Sequence, residues 1–173
     1  MYRMNTKLLY QDTIETPLGV MIAIADEEML YLLEFVERVK LEEGIGRLRK
    51  KTRATIIPGS TKITASIEKE LSLYFAGKLK EFKTPLCLLG SPFQKEVWEE
   101  LKKIPFGTTH SYSGLAIEIQ NPLGCRAVAR ANSTNRLAIV IPCHRVINKG
   151  GELGGYAGGI QRKKWLLEHE SSK

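Results

Sequence analysis

The chain has 173 residues, a hydrophobic share of 43% and 26 Lys and Arg against 19 Asp and Glu, a formal net charge of +7. That apolar share is enough for the packed core of one large or two small domains, and the absence of any run near the roughly 20 apolar residues that span a bilayer excludes a membrane helix. Three scattered cysteines, Cys87, Cys125 and Cys143, form no CxxC pair, and the start Met1–Thr6 has no signal-type apolar stretch, so no disulfide framework is expected and the setting is a reducing, cytoplasmic one.

Residues 7 to 35 read as three strands, Lys7–Ile14, Gly19–Ala25 and Met29–Phe35, separated by turns at Pro17-Leu18 and Asp26-Glu27-Glu28. Ile63, Ile67, Leu71, Tyr74 and Phe75 recur at helical spacing, which predicts an amphipathic helix over Lys62–Ala76 ended by Gly77 and laid on the sheet. Lys78–Gly90, with Pro85, reads as a linker. The expected division is an α/β unit over residues 1–87, a three-stranded antiparallel sheet plus helix, and a mostly helical unit over 88–173.

The second unit opens with Phe93, Val97, Trp98, Leu101 and Ile104 on one helix face, stopped by Pro105 and Gly107. Ser113–Gln120 reads as a short helix, and Asn121-Pro122 as an N-cap with proline at N1, starting a helix that runs to about Asn132. Two short helices joined by a tight turn fit a helix-turn-helix, with Arg126 and Arg130 on the second and small Ala127, Ala129 and Ala131 permitting close approach to another surface; close packing against a neighbouring helix fits the same residues. No acidic residue lies between Glu118 and Glu152, a gap that holds Arg126, Arg130, Arg136, Arg145 and Lys149. Such a stretch suits a polyanion, since phosphate neutralisation dominates sequence-independent DNA affinity, and also suits an ordinary solvated basic face.

The run Leu137–Ile141 reads as a buried strand that delivers Pro142-Cys143-His144-Arg145-Val146 to its rim, because Pro142 cannot continue a ladder. Six glycines follow within residues 150–159, letting backbone approach a flat ligand with no Cβ in the way. A cysteine thiolate is a soft nucleophile, but a free thiol with a pKa of about 8.5 needs a base. His144 is adjacent in sequence. Beside this stands the plainer reading of a core cysteine next to a surface histidine.

Pro142-Cys143-His144-Arg145-Val146 with Gly155-Tyr156-Ala157-Gly158-Gly159 resembles the acceptor site of the O6-alkylguanine-DNA alkyltransferases. The resemblance runs upstream through Ser91-Pro92-Phe93-Gln94, Val97-Trp98, Gly107–Tyr112, Asn121-Pro122 and Arg126-Ala127-Val128, and downstream to Lys164–Glu170; the first half matches loosely. It implies a ribonuclease H-like first domain and direct-reversal repair of DNA. Cys143 would take the alkyl group from a flipped O6-alkylguanine, once per molecule, because a thioether offers water no carbonyl to attack. O4-alkylthymine is a further candidate lesion.

The resemblance also implies site roles, position by position. His144 would activate Cys143 through a water and be held by Glu170, the two lowering the thiol pKa, although Glu170 at a helix C-terminus also fits a solvated charge. Tyr112 would assist the leaving group, and Asn135 would order the turn around the nucleophile. Arg126, flanked by Ala127, would fill the gap left by the flipped base, while Ser113, Asn121 and Lys149 would touch DNA backbone. Carbonyls of Cys143 and Val146 would read the guanine amino group, with Tyr156, Ala157 and Gly158 walling the base pocket; Ala157 replaces a serine found in some members. Cys87 and Cys125 read as structural, and His110 and His169 as surface or supporting groups.

Members that bind zinc use cysteines and histidines of the first domain, which here has no histidine, so neither metal nor cofactor is expected. The resemblance implies double-stranded DNA containing alkylated guanine as the partner, expected to be met by a cytoplasmic monomer at the nucleoid. Two other classes compete: a thioester-forming cysteine hydrolase, which would turn over, and a helix-turn-helix lesion binder without transfer.

Overall fold

The computed structural model describes residues 6–172; of the stretch Met1–Thr6, expected to lack a signal-type apolar run, all but Thr6 lies outside them. The three expected strands form as β1 (Leu8–Thr16), β2 (Gly19–Ala25) and β3 (Leu30–Phe35), antiparallel in sequence order. Thr16 closes the first turn, its hydroxyl donating to Gly19 O (2.6 Å) and accepting from Leu18 N (3.2 Å), while Gly19 takes a φ of +119° that a side chain would strain.

The sheet has four strands rather than the expected three. β4 (Thr55–Pro58) adds in parallel to β1, giving the order β3-β2-β1-β4, and α1 (Leu41–Thr52) makes the crossover before it. Neither element announces itself in sequence. The α1 run contains Gly44 and Gly46, its N-cap Lys40 makes no side-chain cap bond, and its apolar face is only Leu41, Ile45 and Leu48. That face packs on Leu9, Ile22, Ile24 and Leu32. Met21, Ala23 and Ala25 point to the opposite face, against Ile63, Ile67 and Leu71 of α2 (Lys62–Phe75). A sheet covered on both faces explains why β2 is nearly all apolar instead of alternating. Thr61 starts α2 by accepting from Ile63 N (3.1 Å) and Thr64 N (3.2 Å).

The segment read as a linker is pinned to the sheet, Leu30 N donating to Pro85 O (2.8 Å) and Cys87 N to Leu30 O (2.9 Å). α3 (Pro92–Leu101) follows, with Ser91 and Gln94 as a reciprocal cap. β5 (His110–Ser111) pairs in parallel with β6 (Val146–Ile147), and α4 (Tyr112–Glu118) and α5 (Cys125–Ser133) lie between them in the chain. The N-cap of α5 is Gly124, three residues later than expected: Asn121–Gly124 closes as a turn, with Gly124 N on Asn121 O (2.8 Å). Nor is Leu137–Ile141 a strand. Leu137 bridges Leu33 alone, and the chain then turns through Ile139 at φ +72°. Its apolar side chains are there for the core, a burial that periodicity alone cannot tell from strand pairing. A short 3-10 turn, Cys143–Arg145, precedes β6, and α6 (Ile160–Ser171) closes the fold.

One hydrophobic cluster holds Ile14, Leu33 and Phe35 of the sheet together with Val97, Leu115, Val128 and Leu166 of the later helices. Among the described residues no helix is long and apolar enough to cross a membrane.

Candidate active site

Cys143 sits where the turning segment meets the 3-10 turn, 6% exposed. It borders a cavity of about 550 Å³ whose wall includes Tyr112, Arg126, Asn135, Asn148, Tyr156 and the glycine-rich run from Gly154 to Gly158. In the loop, Gly154 has a φ of +70° that a side chain would strain, and a Cβ there would come within 3.3 Å of Asn148 Oδ1. Asn135 bridges the turn. Its Nδ2 donates to Cys143 Sγ (3.2 Å) and Ile141 O (2.9 Å), and its Oδ1 accepts from Leu137 N (2.9 Å).

His144 and Glu170 meet, with Nε2 2.7 Å from Oε1 and exposures of 0% and 1%. Glu170 also accepts from Arg145 Nε (2.8 Å), Arg145 Nη2 (2.9 Å) and the Tyr74 hydroxyl (2.7 Å). Burial alone would raise its pKa, but the bonds from His144 and Arg145 outweigh that and hold the carboxyl well below the usual carboxylate range. An anionic Glu170 accepts, so His144 Nε2 carries the hydrogen and Nδ1 the lone pair. Nδ1 is buried with no hydrogen-bond partner in the protein. Burial pushes the His144 pKa down, against Glu170, so the imidazole rests neutral, with the Nδ1 lone pair free to accept a proton.

The thiol departs from expectation. Burial pushes the Cys143 pKa up, with the Asn135 amide the largest influence in the other direction. The resting sulfur is a protonated thiol. Burial likewise raises the Tyr112 pKa, which keeps its hydroxyl a proton donor.

The remaining expected positions divide. Arg126 is exposed on the cavity rim, Ala127 beside it on the open face of α5, and Ala157 and Gly158 line the cavity with Tyr156. Ser113 lies against Ser111 (3.2 Å between hydroxyls), Asn121 in the turn before α5, and Lys149 on an exposed turn. The carbonyls of Cys143 and Val146 already accept Val146 N and Lys163 Nζ (2.6 Å), which leaves each a second lone pair. Cys125, read as structural, borders the cavity. His110 pairs with Glu118 (2.9 Å), and His169 stacks on Trp165 at 4.8 Å.

Sequence reasoning missed four groups. Arg145, assigned to the basic surface, is buried on Glu170 and Ile104 O (2.7 Å). Lys163, one cation in the run Arg162-Lys163-Lys164, is fully buried, ties Val146 O to Gly155 O (3.1 Å) and is pulled down by burial to a pKa of about 8. Glu34 and Arg38 reach the cavity from the first half of the chain. A signal existed only for Lys163, which lies seven residues before Glu170, two helical turns along one face.

Residues 92–172 match the family model described as 6-O-methylguanine DNA methyltransferase, DNA binding domain. A methylated-DNA–protein-cysteine methyltransferase of Shigella flexneri is 41% identical over 168 residues, covering 94% of this chain and 95% of that protein. The crystal structure of Mycobacterium tuberculosis O6-methylguanine methyltransferase superposes with a TM-score of 0.81 at 39% identity, over 95% of this chain and 93% of that one. The same organism's OGT in complex with DNA gives 0.80 at 38%, over 94% and 93%. Identity at this level along nearly the full length of both partners, with Asn135 bonded to the Cys143 sulfur and His144 to Glu170, leaves one conclusion: this chain belongs to the methylated-DNA–protein-cysteine methyltransferase family.

Proposed function

We propose that the chain repairs O6-alkylguanine in double-stranded DNA by direct reversal, taking the alkyl group onto Cys143. The observation that carries this reading is a buried thiol on the wall of a glycine-rich cavity, with the Asn135 amide on its sulfur and the neutral His144, held by Glu170, next to it in the chain. His144 Nδ1 takes the thiol proton, directly or through one water, and Glu170 stabilises the imidazolium. The sulfur attacks the alkyl carbon, a C–S bond forms and the C–O6 bond breaks. Tyr112 protonates the departing guanine and recovers its proton, by way of solvent, from the imidazolium. The product thioether has no route back, so each molecule acts once.

The cavity lies in the wall of the protein, so the base must leave the duplex to enter it. We read α4 and α5 as a helix-turn-helix whose second helix presents Arg126 to the gap, with Ala127 allowing close approach, and Ser113, Asn121 and Lys149 as backbone contacts. Val146, Tyr156, Ala157 and Gly158 form the base pocket, with O4-alkylthymine as a second lesion. The first unit, 1–87, we take as ribonuclease H-like and the second, 88–173, as the acceptor unit; the whole acts as a cytoplasmic monomer at the nucleoid.

Labelled alkyl DNA tests this. Transfer should stop at one label per protein, on the Cys143 peptide, and Cys143→Ser should bind DNA without accepting label. Label on Cys125, which also borders the cavity, would overturn the assignment; steady turnover would mark a hydrolase, and binding without transfer a lesion binder.

A further inference from the structure

The cavity that holds Cys143 is completed from the first half of the chain. Glu34 on β3 and Arg38 just beyond it both border it, 1% and 8% exposed and paired with each other. Arg38 does more than neutralise Glu34. Its Nη1 also donates to Asn135 O (2.7 Å) and its Nη2 to Ser133 O (2.9 Å), two carbonyls that bracket the end of α5. The β3 backbone grips the residues that follow: Leu33 N donates to Arg136 O (2.8 Å) and Ala138 N to Leu33 O (2.9 Å). The turn that carries Asn135 is thus tied on both sides to β3 and its extension, while the Asn135 side chain holds Cys143 Sγ.

We infer that Arg38, anchored by Glu34, is a positioning residue for alkyl transfer, fixing the turn from which the Asn135 amide meets the Cys143 sulfur, so that the first half of the chain completes the acceptor site. The inference rests on the alkyl-acceptor reading and gives the first half a task in it. The geometry asks for a guanidinium. Its planar fork serves two carbonyls and a carboxylate at once, which an ammonium on a flexible stem does less well. Glu34 removes the cost of leaving that cation buried and unpaired. The turn matters because an N–H bond to sulfur favours the thiolate, and that bond opposes the burial that raises the thiol. Misplacement by about 1 Å, caused far from the chemistry, can cost on the order of a hundredfold in rate.

The test compares Arg38→Met, Arg38→Lys, Asn135→Ala and the double variant Arg38→Met/Asn135→Ala. One assay is transfer from free O6-benzylguanine, which needs no DNA; the other is the pH profile of Cys143 alkylation by iodoacetamide, read on the Cys143 peptide. Arg38→Met should transfer at least about tenfold more slowly and shift the alkylation midpoint to higher pH, with affinity for unmodified duplex unchanged, and Arg38→Lys should fall between it and the wild type. If Arg38 acts through Asn135, the double variant is no slower than the slower single one. Wild-type rate and midpoint in Arg38→Met, or losses that multiply in the double variant, overturn the inference. Should Arg38→Met not fold, Arg38→Lys carries the same comparisons, with an unmoved rate and midpoint again overturning it. The two readings fail separately: a wild type that transfers while Arg38 variants match it removes only the clamp, and a wild type that accepts no alkyl group while Arg38→Met still shifts the alkylation midpoint removes only the alkyl-acceptor function.

Discussion

At the scale of single residues the site solves a conflict between burial and reactivity. Burial raises the Cys143 pKa and keeps the sulfur protonated, so on the proposed mechanism attack draws on His144 at the moment of reaction. Because burial lowers the His144 pKa from an ordinary value of about 6.5, the imidazole is mostly neutral above that pH, and the transfer rate should be nearly flat between about pH 6.5 and 8.5. His144→Ala should lose on the order of a hundredfold at pH 7 and regain about tenfold per pH unit as the raised thiol ionises unaided; a variant with a flat profile would show that His144 does not serve as the base. Glu170→Gln should do more harm to the fold than to the pH profile. It leaves Arg145 buried without its counterion, a loss of about 3–5 kcal/mol that urea denaturation would measure. The carboxyl is depressed in the folded state, so its contribution in the wild type is complete above about pH 4.3, the unfolded value, and is lost as pH falls from there toward the folded one.

Elements differ in how plainly their sequences declare them. β1, β2 and β3 were legible because turn residues punctuate them, and α2 because its apolar residues keep a 3.6 period behind a Thr61 cap. α1 and β4 were not, since a helix with two glycines and a four-residue strand are held by what they pack against. Cys143 and His144 could be read because they stand side by side within Pro142–Val146, and Asn135 and Glu170 because they fall at positions of the family that the sequence resembles. Arg38 and Tyr74 could not, since their partners at Ser133, Asn135 and Glu170 are 95 to 97 residues away in the chain, and Glu34 borders the cavity only because β3 packs against the later turn. α5 carries the sharpest test at this scale. Its open face presents Arg126, Ala127 and Arg130, and base extrusion costs on the order of a few kcal/mol, part of which an inserted side chain offsets. Arg126→Ala should therefore lose transfer from duplex at least about tenfold more than transfer from free O6-benzylguanine. Equal losses on the two substrates would place Arg126 in pocket integrity instead. If Lys149 makes the single phosphate contact proposed for it, Lys149→Ala should reduce the salt slope of duplex binding by about 0.9 and weaken all sequences alike.

For the whole molecule the question is whether the two halves, proposed as separate domains, can unfold separately. The hydrophobic cluster passes from Ile14 and Phe35 through Val97 and Val128 to Leu166 without a seam, and Tyr74 of α2 is bonded to Glu170 of α6. Cutting between residues 87 and 88 would expose the Leu33 and Phe35 face and remove the Arg38 bonds that close the Asn135 turn. Separate unfolding would require creating both apolar surfaces in one half-folded intermediate, which at about 25 cal/mol per Å² of apolar area is unfavourable against a total stability of only about 5–15 kcal/mol. One transition is therefore expected. With 173 residues and about 0.7 kcal/mol per residue near 60 °C, scanning calorimetry should return roughly 120 kcal/mol by both the area and the van't Hoff analysis. A van't Hoff enthalpy near half the calorimetric one would mean that the halves melt independently, and the first half would then be a neighbour of the acceptor site and not a part of it.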